Sequence, residues 1–192
     1  MLSVISRTPR IAGAEQGVEH PKTMTQPLQP WFGRTFNFPY PAELLPNLKS
    51  RLQGTPARLE ELVRNCVEST LTTTGDGKWT PQEHAGHLLD LEPLWYARLE
   101  DFFNAHQLTA ADLTNRITSE AGHNSKSIQE ILAGFRAARF CLLMNARQLD
   151  VATSTRELLH PRLKMPMRAI DHLYFVAEHD DHHLAHIERL VG

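Results

Sequence analysis

Four of the chain's eleven histidines fall within eight residues near the C-terminus, from His179 to His186. Apolar residues recur there with helical spacing, and no Gly or Pro interrupts the chain from Met167 to Val191. On a helix, His179 and His183 lie one turn apart on one side, where two imidazoles can bind a single metal ion. The spacing therefore predicts a metal-binding pair, with His182 and His186 turned toward the polar side. The alternative is a set of solvated histidines near a helix end, and a third ligand is needed to decide.

The best-specified helix start in the chain supplies candidates for that third ligand. Thr80, Pro81 and Glu83 form a capping box with proline at the first helical position. His84 and His87 follow in the first two turns of a helix predicted to reach about His106, with a kink at Pro93. Both histidines project onto the apolar face or its edge, so geometry leaves the choice between them open. For either one, the alternative is a core histidine bonded to a carboxylate.

Two further amphipathic helices precede and follow this one. The first begins near Pro41 and is predicted to kink or restart at Gly54-Thr55-Pro56, because Pro56 cannot donate to the carbonyl of residue 52. The third runs from about Ser127 to Leu149, with arginines 136, 139 and 147 predicted on a solvated face. The last helix is predicted to open at Pro166, after a loop at 151–164.

The chain shows no strand alternation, so four helices predict an all-α helical bundle. The long connection at 108–125 allows the second and third helices to run parallel. A proline- and aromatic-rich segment at 26–41 predicts an irregular, ordered lead-in to a single domain over 26–192. Residues 1–25 predict a flexible extension, and Met24 remains open as an alternative start.

The composition excludes several classes of protein. The formal net charge of −2 gives no support for nucleic-acid or anionic-membrane binding. No apolar run approaches the ~20 residues that cross a bilayer, and the N-terminus lacks the apolar core of a secretory signal. The two cysteines, Cys66 and Cys141, predict buried free thiols in a reducing compartment, which favours a cytoplasmic protein.

A histidine from the second helix and the pair from the fourth would build a three-histidine site in the bundle core. Three imidazoles leave the fourth position of a tetrahedral ion open, as in catalytic rather than structural zinc sites. Imidazole suits several metals, and we expect zinc or nickel.

The stretches Trp79–Asp90 (WTPQEHAGHLLD) and Glu178–Ile187 (EHDDHHLAHI) together resemble the DinB-like (DinB/YfiT) family of metal-binding four-helix bundles. The resemblance covers roughly Trp31 to the C-terminus. It implies an up-down-down-up bundle with one divalent metal ion held by three histidines, which match His87, His179 and His183 by position. Characterised relatives include transferases and isomerases that use thiols such as mycothiol or bacillithiol, whereas many others have no known activity.

Further residues are candidates for supporting the site. Asp180 lies on the inward side of the last helix, where it could accept the second ring N–H of a ligand histidine or bond to the Trp79 indole or the backbone. Glu92 could play either role. His123 is predicted to cap a helix rather than line a pocket mouth, and His84, His182 and His186 are lower-ranked pocket residues.

These observations predict a metal-dependent enzyme, a thiol-dependent S-transferase or a hydrolase, that acts on a small molecule and forms a homodimer. The first alternative is a non-enzymatic bundle with a structural metal that acts in dimerisation or partner binding. The second is a metal-free, pH-sensitive histidine cluster.

Overall fold

The computed structural model describes residues 26–74 and 78–192. The extension predicted at 1–25, Met24 and two glycines of the loop before Trp79 lie outside these residues. The helices are α1 (Leu45–Val63), α2 (Glu68–Thr72), α3 (Pro81–Asn104), α4 (Arg116–Glu120), α5 (Ile128–Ala146), α6 (Val151–Thr155) and α7 (Ala169–Val191). The strands are β1 (Glu157–Leu159) and β2 (Pro166–Arg168). Three short 3-10 helices occupy Trp31–Gly33, Ala42–Leu44 and His123–Ser125.

Helices α1, α3, α5 and α7 form a four-helix bundle with up-down-down-up topology. Glu92 of α3 bonds to Arg139 of α5, and Glu100 bonds to Asn145 further along both helices, so α3 and α5 run parallel. Helices α3 and α7 run antiparallel, as do α1 and α5. Helices α1 and α7 run parallel. The predicted fold and topology are thus confirmed.

The restart predicted in the first helix was wrong, since α1 continues through Pro56 as one helix. The alternative of a kink at this position stays a prediction. The Leu52 carbonyl, which has no N–H to accept from at residue 56, accepts instead from Arg139 Nη1 at 3.3 Å. Thr55 does not cap a restart, because its hydroxyl donates to Asp180 Oδ2 at 2.9 Å. A side chain from α5 therefore replaces the bond that proline removes.

Arg139 was also predicted wrongly, as part of a solvated face. Its side chain is 1% exposed and donates to Glu92 of α3 and Asp180 of α7 at 2.5 Å each. Burial lowers the pKa of Arg139, but attraction and hydrogen bonds from Asp180 and Glu92 outweigh burial and raise the pKa overall. The ion triad, as we call Arg139, Glu92 and Asp180, thus joins three helices and contacts the backbone of the fourth.

The loop predicted at 151–164 and the helix start at Pro166 were both wrong. Helix α6 and an antiparallel hairpin occupy this segment, with Leu158 opposite Met167. Helix α7 begins at Ala169, where the Asp171 carboxylate accepts from the backbone N–H of Arg168 at 2.9 Å and from that of Tyr40 at 2.6 Å. This carboxylate anchors the end of the lead-in to the start of α7.

The lead-in packs its aromatic rings against α7. Trp31 lies 5.0 Å from Phe175 and Tyr40 lies 4.5 Å from Tyr174, between ring centroids. Among the described helices, none is both long and apolar enough to cross a membrane.

Candidate metal centre

Three histidines converge where α3 crosses α7. One ring nitrogen from each of His87, His179 and His183 lies within 4.8 Å of the other two, and all three residues are buried. Nε2 of His179 and Nε2 of His183 are 3.1 Å apart. The antiparallel crossing places the second turn of α3 beside the one-turn pair on α7. The three side chains thus form one group whose geometry can hold a metal ion.

His87 is oriented by a chain of hydrogen bonds on α3 and α4. Its Nδ1 lies 2.9 Å from Thr118 Oγ1, and the Thr118 hydroxyl donates to Asp90 Oδ2 at 2.8 Å. Because that hydroxyl gives its proton to Asp90, its oxygen accepts from Nδ1–H of His87. The lone pair of His87 is then on Nε2, the nitrogen left for the site.

Sequence reasoning missed both partners. Asp90 follows His87 by three residues, so the helical wheel could have placed it beside that histidine. Thr118 lies in the connection between α3 and α5 and carried no signal. His123, predicted to cap a helix, instead bonds through Nε2 to Asp90 Oδ2 at 2.8 Å.

His84, His182 and His186 surround the far side of His183. Nδ1 of His84 is 2.8 Å from Nδ1 of His183, and the His84 ring stacks on His186 at 4.9 Å. His182 was predicted on the polar side of its helix, yet it is buried, because Trp31 of the lead-in covers it at 5.7 Å. These histidines flank the group rather than belong to it.

Asp180 and Glu92 do not contact the histidines through hydrogen bonds. Their carboxylates bond to Arg139 in the ion triad, and Asp180 also accepts from Thr55. The support predicted from them is therefore directed elsewhere, since the buried guanidinium is the stronger partner for each charge. Nδ1 of His179 is buried and has no hydrogen-bond partner among the described residues.

Burial keeps the histidine group neutral. It lowers the pKa of His87 to about 4, with a smaller opposing effect from Asp90, and that of His84 to about 3. Burial, followed by the neighbouring histidines, also lowers the pKa values of His179 and His183 well below the ordinary range. Neutral imidazoles are the form that binds metal ions.

A cavity of ≈500 Å³ opens over the histidine group. Its volume falls within the range of small-molecule sites. Its lining includes five tryptophan and phenylalanine side chains and two arginines, among other charged residues: Trp31, Phe32, Trp79, Trp95, Phe175, Arg98 and Arg162. The arrangement is a cavity whose lining combines aromatic side chains with the neutral histidine group.

Comparisons with known proteins agree with this architecture. Residues 51–187 match the sequence model of the DinB superfamily. The solved structure of YfiT from Bacillus subtilis, described as a probable metal-dependent hydrolase with an unusual four-helix bundle topology, superposes with a TM-score of 0.71. At 23% identity, the match covers 82% of this chain and 91% of YfiT. A search of curated proteins found no match.

Proposed function

Because the chain belongs to the DinB superfamily, we propose that it is a metal-dependent enzyme in which His87, His179 and His183 hold one divalent ion. The observation that carries the proposal is the convergence of three buried ring nitrogens within 4.8 Å at the wall of a small-molecule cavity. Such a set leaves room for a further ligand from the cavity, as in catalytic sites.

The residues present fit a divalent ion of the zinc or nickel type. All three donors are imidazoles, which bind both metals. Nε2 of His179 and Nε2 of His183 lie 3.1 Å apart, close enough for both to bind one shared cation. The hydrogen bond from His87 to Thr118 supplies the outer support that ligand histidines require.

A divalent ion held there would activate a water molecule or a small thiol as a nucleophile at neutral pH. The chain's residues would orient and enclose the reactants. Thr118 contacts the His87 ring and would fix its orientation, and Trp31, Trp79 and Trp95 of the cavity wall would enclose the reactants. YfiT, as a probable metal-dependent hydrolase, favours water as the nucleophile, whereas thiol-using relatives favour S-transfer to an electrophilic small molecule.

Elemental analysis of purified, untagged protein tests the proposal. We expect about one zinc or nickel ion per chain, lost in the His179→Ala/His183→Ala double variant together with turnover of electrophilic esters or thiol acceptors. The matched control is His186→Ala, which removes a cavity-lining histidine outside the group and should retain the metal. Equal metal content in wild type and the double variant would refute the assignment of ligands.

A second candidate is a non-enzymatic bundle with a structural metal, acting in dimerisation. The exposed pair Phe140 and Met144, one turn apart on α5, favours this reading, since they offer apolar surface to a second copy. Sedimentation of wild type and a Phe140→Glu/Met144→Glu variant separates the cases. A dimer that the variant disrupts, with no turnover in either protein, would favour the structural role.

A further inference from the structure

Two arginines line the cavity beside the histidine group without a carboxylate in direct contact. Arg98 of α3 is 2% exposed, and neither Arg98 nor Arg162 lies within ion-pairing distance of a carboxylate in the described chain. Asp112 also lines the cavity, but its oxygens already accept from Thr114 and from the backbone N–H of Arg116. Arg162 is half-buried, with a buried Nη2 atom. Buried charges are ordinarily paired, so Arg98 in particular lacks a carboxylate in direct contact.

Aromatic rings and the backbone hold the arginines in place. Arg98 donates through Nε to the Thr109 carbonyl at 2.8 Å and stacks on Trp95 at 5.5 Å. Arg162 stacks on Phe32 at 5.3 Å and on Phe175 at 5.8 Å. The guanidinium planes are therefore fixed before any ligand arrives, which reduces the entropy lost on binding.

His160 faces Arg98 but does not offer it a hydrogen-bond acceptor. Its Nδ1 accepts from the backbone N–H groups of Arg162 and Leu163, at 3.2 and 3.0 Å. The neutral ring then carries its proton on Nε2, which faces Arg98 Nη1 at 3.2 Å. Burial, followed by the two arginines, lowers the pKa of His160 to about 3, so the ring is neutral at pH 7. Two N–H donors consequently face each other with no oxygen between them.

Two more donors in this wall have no acceptor. Nη2 of Arg162 and the indole Nε1 of Trp95 are buried and unpartnered among the described residues. Both residues line the cavity, as do Arg98 and His160. Burial, followed by repulsion from Arg162, lowers the pKa of Arg98 to about 10, and attraction from Asp101 offsets only part of this. A ligand oxyanion would accept from these donors and neutralise the charge.

We propose that Arg98, Arg162 and His160, with the Trp95 indole, bind a carboxylate group of the substrate. A carboxylate matches the planar guanidinium fork and offers about four acceptor sites, and the aromatic walls fit an apolar body attached to it. This inference rests on the proposed function, because it assigns the substrate of the same cavity. Trp95 lies between the proposed carboxylate site and the histidine group. Arg98 stacks on its ring, and the ring centroid of His179 is 5.4 Å from that of Trp95.

Benzoate and its neutral analogue benzyl alcohol are the probes, and quenching of the cavity tryptophans reports binding. We expect benzoate to bind the wild type at least roughly tenfold more tightly than benzyl alcohol or inorganic phosphate, the scale of one hydrogen-bonded charge. Arg162→Gln should weaken benzoate binding by a similar factor. The matched control Arg189→Gln removes an equal charge from the cavity rim and should change it less than about threefold.

His183→Ala separates this site from the histidine group. If benzoate binds that variant normally and binding depends on Arg162, the carboxylate site is supported whether or not metal is present. If His183→Ala loses binding and Arg162→Gln keeps it, the carboxylate binds at the histidines and this inference is overturned while the metal proposal stands. A wild type without metal that still binds benzoate through Arg162 refutes the proposed function and retains the site.

Because Arg98 is buried and its removal risks misfolding, Arg98→Lys is the second variant. It keeps the charge and loses the planar fork, so benzoate binding should weaken while the thermal transition stays within a few degrees of wild type. Equal binding of benzoate by wild type and both arginine variants, or no binding by the wild type, would overturn the inference. Phosphate binding as tight as benzoate would overturn the assignment of a carboxylate.

Discussion

Gly86 directly precedes the predicted ligand His87. Because it has no side chain, α3 can pass close to the buried ring of His123. A Cβ built on Gly86 would lie 2.3 Å from the His123 ring, which Asp90 holds in place. Alanine normally stabilises a helix interior relative to glycine, but here it must displace the ring. We expect Gly86→Ala to lower the free energy of unfolding by about 1–3 kcal/mol, measured by urea denaturation.

Gly54 provides the control for this substitution. It also lies inside a helix, α1, but an added Cβ would meet no atom within 4 Å. Gly54→Ala should raise the free energy of unfolding by about 0.5–1 kcal/mol. If both variants were stabilised alike, the close approach of α3 to His123 would not constrain the fold.

We expect Thr118 to support metal binding through His87. Thr118→Val keeps the volume of the side chain but removes the oxygen that links His87 Nδ1 to Asp90. We expect the affinity for zinc, titrated against a competing chelator, to fall by roughly 10–100-fold. Thr118→Ser retains the hydroxyl and should bind zinc like the wild type, and an unchanged affinity in the valine variant would remove Thr118 from the support of the site.

At the scale of secondary-structure elements, Arg139 joins all four helices of the bundle. Arg139→Met leaves the buried Glu92 and Asp180 side chains without their cationic partner and deprives the Leu52 carbonyl of its donor. We expect a loss of about 3–5 kcal/mol in the free energy of unfolding, the cost of breaking a buried ion pair from one side.

Arg136→Met on the same helix is the matched control, because its pair with Glu60 is exposed and such pairs contribute about 0–1 kcal/mol. Adding Glu92→Gln and Asp180→Asn to Arg139→Met should recover part of the loss, since no net charge then remains buried. If Arg139→Met alone were as stable as Arg136→Met, the ion triad would not stabilise the bundle.

The elements that could be predicted from sequence are those with local determinants. Thr80 and Ser127 cap α3 and α5 through hydrogen bonds to residues two or three positions ahead, so both starts were predictable. The continuity of α1 through Pro56 was not, because the compensating donor, Arg139, is distant in sequence. The hairpin was missed because strands of three residues carry no usable period.

The same distinction separates the parts of the candidate site. The pair His179 and His183 follows from helical spacing within one element. Arg98, Arg162 and His160 come from a helix and a hairpin loop whose approach depends on the packed bundle, and no local pattern marks them. Arg162 acquires its role from aromatic rings of the lead-in and α7, which only the tertiary structure brings together.

At the scale of the whole molecule, the burial of neutral histidines makes folding sensitive to acid. His172 illustrates this away from the histidine group. It is fully buried, its Nε2 bonds to the Trp95 carbonyl, and burial, followed by Arg98, lowers its pKa to about 3. Between pH 3 and about 6.5 the unfolded chain therefore binds a proton at this position that the folded protein does not.

The sign of the effect follows from proton binding. Stability contributed by a depressed histidine pKa is fully present above about pH 6.5 and is lost as the pH falls toward the folded-state pKa. His172→Gln keeps a donor for the Trp95 carbonyl but cannot titrate. In the presence of chelator, it should reduce the slope of unfolding free energy against pH between 6 and 4 by up to about 1.4 kcal/mol per pH unit. His106→Gln, at an exposed position after α3, is the matched control for the substitution. Equal slopes for all three proteins would show that His172 is protonated alike in the folded and unfolded states.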